Sequence, residues 1–354
     1  MARQSHPFAR RMRGVSLIEL MVGLVIGMIA VLVVMQVFQI SESSRRTTVG
    51  GDDAQMAGML SLSALQRDIQ QSGYGSSAFP IVGCSITVPG GWVVPALAPV
   101  TINPAGIPPG DANTDTLMVI YGDNGGSPEG DLVAAQAVQA TYSVATPTSF
   151  AATDLIVAAV TPRPVVCNLT LEQVTAKSDS PPTVTVGTGV AGMINGTLYN
   201  FGRDPRFQVY AVRNGNLTVC DYRINNCGAA ASAGDPTVWV PVGNSIVSLR
   251  AVYGKDTTVP MDSAVDVYDR VAPAAACDFA RVSALQLAIV TQSGEFDKQL
   301  GAEIPFAPAP EWRASDAAPI DLSARADWQS FRYKVYETTV PVRNMAWQGA
   351  QSGC

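Results

Sequence analysis

The chain opens on a polar stretch and passes at Leu20 into an unbroken apolar and glycine run, LMVGLVIGMIAVLVVM, that reaches Met35. No charged residue occurs from Leu20 to Ser41, a span of 22 residues. About 20 helical residues, at 1.5 Å each, cross the hydrocarbon core of a bilayer, so this segment predicts a membrane-spanning helix. Helical spacing then continues in another form. Met56, Met59, Leu62, Leu65 and Ile69 recur every three or four positions, and Arg67, Asp68, Gln70 and Gln71 supply much of the polar side. This predicts an amphipathic continuation with one apolar face against a globular head. Gly50-Gly51 predicts a weak point or bend, each glycine costing about 1 kcal/mol against alanine. Ser72-Gly73-Tyr74-Gly75 predicts the end of the helix, with Gly73 as a left-handed cap.

Beyond the helix the texture is β. Residues 76–113, rich in Pro, Gly and Ala, read as an irregular connection. Strands are predicted over Thr116–Tyr121, Asp154–Val160, Val282–Val290 and Phe331–Val342, with a turn at Gly122-Asp123-Asn124-Gly125-Gly126. Gln208–Arg213 and Asn216–Tyr222 flank Asn214-Gly215, a strong hairpin signal. In Val247–Tyr253, alternation places Val247, Leu249, Ala251 and Tyr253 on one face and Ser248 and Arg250 on the other. The fold class is α+β: one long N-terminal helix on a largely antiparallel head, with an inserted β-rich region.

Composition removes several function classes. Of 354 residues, 47% are hydrophobic and 15% charged, which excludes a disordered chain and a basic nucleic-acid binder. Arg3, Arg10, Arg11 and Arg13 lie in an acid-free leader, and setting these four aside leaves 19 basic against 29 acidic side chains in the body. An acidic body does not attract nucleic acid at long range, and no such partner is expected. The one histidine is His6, so beyond the leader no Ser–His–Asp triad, Cys–His pair or His-bearing zinc site can form. The leader arginines predict a cytoplasmic N-terminus and an exported body.

Hydropathy alone leaves a plain signal anchor open. It does not account for Glu19, a carboxylate at the start of the apolar segment, where charge is costly. An interfacial glutamate reaching headgroups is the bland reading. A cleaved secretory signal is disfavoured, because Gln36, Phe38 and Gln39 follow the run without an Ala-x-Ala site. The order Arg11-Met12-Arg13-Gly14, then Val15-Ser16-Leu17-Ile18-Glu19-Leu20, resembles the leader of type IV prepilins and type II secretion pseudopilins. Three later segments, LQRDIQQSGY (Leu65–Tyr74), IVSLRAVYGKD (Ile246–Asp256) and RYKVYETTVPVRN (Arg332–Asn344), resemble the PilW-type minor pilins.

The resemblance implies a non-enzymatic filament protein with a pilin-like fold and no cofactor. It divides the chain into a leader (1–14), a transmembrane and filament-core helix (15–40), its amphipathic continuation (41–75) and a periplasmic head (76–354). It implies cleavage after Gly14 by a prepilin peptidase, methylation of the new N-terminus at Val15, and pairing of Glu19 with the N-terminal amine of a neighbouring subunit. Val15 departs from the usual phenylalanine. The implied setting is the inner membrane, spanned once, and then the pilus at the cell surface. The implied partners are membrane lipid before assembly, other minor pilins and the major pilin, the inner-membrane assembly platform and a tip adhesin. The role is priming of pilus assembly, in support of twitching motility or adhesion. A minor pseudopilin of type II secretion is the nearest alternative, and a signal-anchored periplasmic enzyme is the alternative of another class.

Cys84, Cys167, Cys220, Cys227, Cys277 and Cys354 all follow the apolar segment, on the side where disulfides persist. Without a Cys-x-x-Cys pair or an available histidine, structural disulfides outweigh a metal site. Six cysteines allow fifteen complete pairings, and the short interval favours Cys220 with Cys227. Asp256, Asp262, Asp266 and Asp269 make a calcium site conceivable, but their spacing is not that of an EF-hand and a solvated acidic loop is the expectation.

Overall fold

The structure is a computed structural model that describes residues 14, 16–123, 126–294, 296–297, 300–301, 305–346 and 354, without the side chains of 43, 44 and 46–50. The leader arginines, His6, Val15, Asn124 and Gly125 lie outside the described residues. Contacts divide the chain into two compact units, Met1–Gly50 and Gly51–Cys354, each described here by itself.

Helix α1 spans Leu17–Gln71 and keeps its helical backbone through Gly50 and Gly51, so the expected weak point does not interrupt it. In the second unit the buried line of α1 is Ala54, Gly58, Ser61, Leu65 and Ile69. This corrects the predicted face: Met56 and Met59 are 62% and 56% exposed, and Leu60 is exposed as well. Small residues face the head because the backbones approach closely there. A Cβ on Gly58 would stand 2.6 Å from the Tyr336 ring and 2.7 Å from the Thr291 methyl, well inside van der Waals contact. The helix ends at Gln71, and Gly73 takes a φ of +84°.

Leu65 and Ile69 pack into a core shared by two sheets. The first has the order Val240–Gly243, Asn216–Asp221, Arg206–Arg213, Leu117–Tyr121, Val100–Ile102. The second has the order Val267–Asp269, Ile246–Lys255, Val282–Gln292, Tyr333–Pro341. Every pairing within these two sheets is antiparallel. The hairpin at Asn214-Gly215 pairs Arg213 with Asn216, with both turn residues at positive φ as a two-residue type I′ turn requires. In the second sheet Leu249, Ala251 and Tyr253 face the helix side, but Val247 packs with Val252, Trp312 and Ile320 on the opposite side. A register shift between Ile246 and Ser248 breaks the alternation, and a one-residue slip moves a side chain to the other face.

The inserted region is a closed barrel. Asn168–Asp179, Leu155–Ala159, Thr197–Gly202, Asp131–Val138, Thr141–Val144 and Pro182–Val186 pair in that order, and the last pairs back to the first. Its interior holds Val133, Tyr142, Val144, Ile156, Val184 and Leu198 among others. The barrel leaves the head after Tyr121 and returns at Arg206, and these two residues are paired neighbours in the first sheet. The segment expected to be irregular contains three short strands, Ser85–Thr87, Val93–Val94 and Val100–Ile102. Ser85–Thr87 pairs with the barrel in the only parallel match among the strand pairings described.

Candidate functional site

At the N-terminal end, the Leu20 amide donates to the Ser16 carbonyl at 3.1 Å, which sets Glu19 in the first turn of α1. The free amides of a helix N-terminus favour a carboxylate there by about 0.3–1 kcal/mol. That contribution accompanies any role of Glu19 between subunits. Leu17–Glu42 spans 26 residues, an 18-residue stretch of which has a mean hydropathy of 2.8 and is wholly unburied, so it is long and apolar enough to cross a membrane. Gly23 and Gly27 lie four residues apart within it, and a Cβ on either would meet nothing within 4 Å. This Gly-x-x-x-Gly spacing, legible in the sequence, suits close approach of a second helix. Gly14, placed before the helix, is exposed.

The head grips the other end of α1 through polar contacts. Asp68 accepts hydrogen bonds from the hydroxyls of Tyr121, at 3.3 Å, and Tyr210, both on the first sheet. Burial first, and then the Asp68 carboxylate, push the Tyr121 phenol up to about 12 and the Tyr210 phenol higher still. Asn344 closes the helix. Its Nδ2 donates to the carbonyls of Gln71 at 3.0 Å and Ser72 at 2.8 Å, two acceptors that the end of a helix leaves open. Lys334 reaches Gln55 Oε1 at 2.7 Å. Asn344, the last residue of the segment RYKVYETTVPVRN, thus caps a helix that ends 273 positions earlier.

Tyr253, Gly254 and Asp256 likewise acquire physical roles. The Tyr253 hydroxyl accepts the Ile102 amide at 2.6 Å and so ties the two sheets together. A Cβ on Gly254 would stand 2.8 Å from the Tyr268 ring, so glycine permits the close pairing of Val267–Asp269. Asp256 is buried and accepts from the Thr258 hydroxyl at 2.6 Å and the amides of Thr258, Asp262 and Ser263 at 2.7–3.0 Å. Burial opposes its ionisation, but these donors outweigh it and hold the carboxyl below its ordinary range. Asp266 accepts from the Thr257 and Thr258 amides, and Asp269 pairs with Lys255 at 2.6 Å. The acidic cluster is therefore occupied in ordering its own loop. Among the described residues no group of three or more His, Cys, Asp or Glu side chains is placed to hold a metal ion.

Asp115, 1% exposed, joins residues far apart in the chain, so no local pattern marks it. It takes a bidentate pair from Arg270 at 2.6 and 2.8 Å, Arg250 at 3.1 Å, the Asn103 amide group at 3.0 Å and the Ala251 backbone amide at 3.0 Å. It welds the start of the Leu117–Tyr121 strand to the second sheet.

The six cysteines form three disulfides, with Cα–Cα distances of 4.9 Å for Cys84–Cys167, 6.1 Å for Cys220–Cys227 and 5.3 Å for Cys277–Cys354. The first joins the segment after α1 to the barrel. The second staples the end of a hairpin strand to its loop. The third holds Cys354 to the short helix Ala276–Ala280, where Arg281 also donates to the Cys354 carbonyl at 2.5 Å.

Residues 209–344 match the model of the family described as Type IV Pilus-assembly protein W, and residues 9–35 match the prokaryotic N-terminal methylation motif. Among solved structures, a type IV-like pilin from Thermus thermophilus is similar at 11% identity and a TM-score of 0.33, over 81% of this chain and 95% of that one. No curated protein matches. The family segment holds Tyr253, Gly254, Asp256 and the capping Asn344, whereas the barrel precedes it. The two matches thus take in the start of the apolar helix and the part of the head that holds these residues.

Proposed function

We propose that this chain is a minor pilin that primes type IV pilus assembly within a tip complex, in support of twitching motility or adhesion. The carrying observation is the union on one chain of a methylation motif at 9–35 and a pilus-assembly segment at 209–344. In this reading the leader 1–14 stays cytoplasmic and a prepilin peptidase cuts after Gly14. Val15 becomes the methylated N-terminus, the segment 15–40 anchors the chain in the inner membrane, and the head stands in the periplasm. On assembly the apolar helix exchanges lipid for neighbouring pilin helices, and Glu19 meets the new amine of an adjacent subunit. A carboxylate buried among helices needs such a cation, because breaking a buried pair costs about 3–5 kcal/mol. The three disulfides and the occupied acidic loop fit an exported structural head.

The test is mass spectrometry of the N-terminal peptide of protein extracted from membranes. A methylated peptide beginning at Val15 is expected; retention of Met1 in a strain with an active prepilin peptidase would refute the scheme. Glu19→Ala is expected to be cleaved normally and to be lost from pili. A deletion strain separates the pilus from type II secretion: pili and twitching fail while exoprotein secretion continues.

A further inference from the structure

Among the described residues, most sheet edges of the head are short, capped or closed. The barrel closes on itself. Val93–Val94, Val100–Ile102 and Val267–Asp269 are two or three residues long, and the Ile102 amide is capped by Tyr253. Val240–Gly243 has four residues and carries Pro241. Tyr333–Pro341, in contrast, is a nine-residue edge strand whose only strand partner among the described residues is Val282–Gln292. Long open edges are templates for pairing with another chain.

The outward groups of this edge can be assigned. The Ser293 amide donates to the Arg332 carbonyl and the Val342 amide to the Ser283 carbonyl, so even-numbered residues bond inward along a ladder without register shifts. Tyr333, Val335, Glu337 and Thr339 therefore turn their amides and carbonyls outward. Pro341 falls in the same outward set, where the missing N–H costs no ladder bond. Beside the edge lies a cleft of about 300 Å³ lined by Gln286, Trp312, Arg313, Glu337, Thr338 and Thr339. Arg313, Lys334 and Arg343 are exposed and have no carboxylate partner among the described residues, on a body that is otherwise acidic; Lys334 donates to Gln55, and Arg313 lines the cleft. Glu337 is the only acid on the strand, and one of its oxygens already accepts the Arg313 amide at 2.8 Å.

We propose that the Tyr333–Pro341 edge receives an extended acidic strand of a partner protein by β-augmentation, with one carboxylate of that strand directed to Arg313 in the cleft. Backbone bonds supply affinity and the cleft supplies selectivity. Arg313, without a carboxylate partner in the cleft among the described residues, favours an acidic strand over a second copy, whose own edge strand brings a single acid, Glu337. The inference does not depend on the pilus reading.

The probe is a short acetylated peptide alternating valine and glutamate, labelled and titrated by fluorescence anisotropy against the full chain in detergent. Saturable binding is expected. A valine–lysine counterpart, whose charge opposes Arg313, should bind at least about tenfold more weakly, and so should the same acidic peptide N-methylated on alternate amides, which loses its backbone hydrogen bonds to the edge. Thr339→Pro, which deletes an outward amide only, should weaken binding similarly while leaving the unfolding midpoint unchanged. Arg313→Glu should reverse the preference for glutamate over lysine. The proposal is overturned by absence of saturable binding, by equal binding of the N-methylated peptide, by full affinity in Thr339→Pro, or by self-association of the chain that Thr339→Pro abolishes.

Discussion

Asn344 offers a sharp test of how the head holds its helix. Its side-chain amide donates to the Gln71 and Ser72 carbonyls at 3.0 and 2.8 Å, at the negative end of α1. Asn344→Ala removes both donors. Each bond has a net worth of about 0.5–1.5 kcal/mol, and water replaces the more exposed one, so the loss should be about 1–2 kcal/mol. Asn344→Asp keeps the size of the side chain but points a carboxylate at two carbonyls. Repulsion at the helix terminus adds about 0.5–1 kcal/mol to the loss of the donors, for a total of about 2–3 kcal/mol. Thermal unfolding of the full chain in detergent, followed by tryptophan fluorescence, reads the difference. At about 2 °C per kcal/mol for a head of this size, the Ala variant should melt about 2–4 °C below the parent and the Asp variant about 4–6 °C below. An Asp variant as stable as the parent, or less damaged than Ala, would refute the donating cap.

The remaining predictions concern packing, charge and pH. Gly51 and Gly58 share one helix but should respond oppositely to alanine. Gly51→Ala meets nothing within 4 Å and should gain about 1 kcal/mol, whereas Gly58→Ala forces a Cβ against Tyr336 and Thr291 and should lose up to about 2 kcal/mol net. Equal melting shifts in the two variants would contradict the close approach. Arg270→Leu strips Asp115 of its bidentate partner and should cost about 3 kcal/mol in urea unfolding, with part recovered by adding Asp115→Asn; a loss within error of zero would remove the network from the account of stability. Burial pushes the phenols of Tyr121, Tyr199, Tyr253 and Tyr333 up to about 12 from an ordinary 10.0. The unfolded chain releases these protons first, so the stability they contribute is complete below pH 10 and is lost as pH rises toward 12. Tyrosinate absorbance should then rise together with unfolding, and ionisation of all tyrosines near 10 in a folded chain would count against it.

The sequence was informative where one period dominated. The apolar run, the end of α1 before Gly73 and the Asn214-Gly215 hairpin could be read because each rests on neighbours in the chain. The buried face of α1 was misread because Ala54, Gly58 and Ser61 are selected for the space they leave, a criterion invisible to apolar counting, while Met56 and Met59 satisfy the period and point outward. Val247 departs from the alternation because a bulge shifts its strand by one residue, and no residue type marks it. Closure of the barrel, the Asp115 cluster and the cap from Asn344 to Gln71 depend on contacts between distant residues. Of the candidate site, Gly14 and Glu19 stood out by residue order, whereas the reason for Tyr253, Gly254 and Asp256 became apparent only from the ring, methyls and amides around them.

Tyr121 and Arg206 stand side by side, yet between them the chain makes an entire barrel and comes back. A module that departs and returns through adjacent positions is a guest in a hairpin: its host could be closed by a short turn with the ladder intact. The guest is not merely hung on: its Leu155, Val157, Tyr199 and Phe201 share a core with Met118, Ile120 and Phe207 of the host sheet. The Cys84–Cys167 bond and the parallel match of Ser85–Thr87 are seams that fasten guest to host, so the barrel moves with the head that holds the helix.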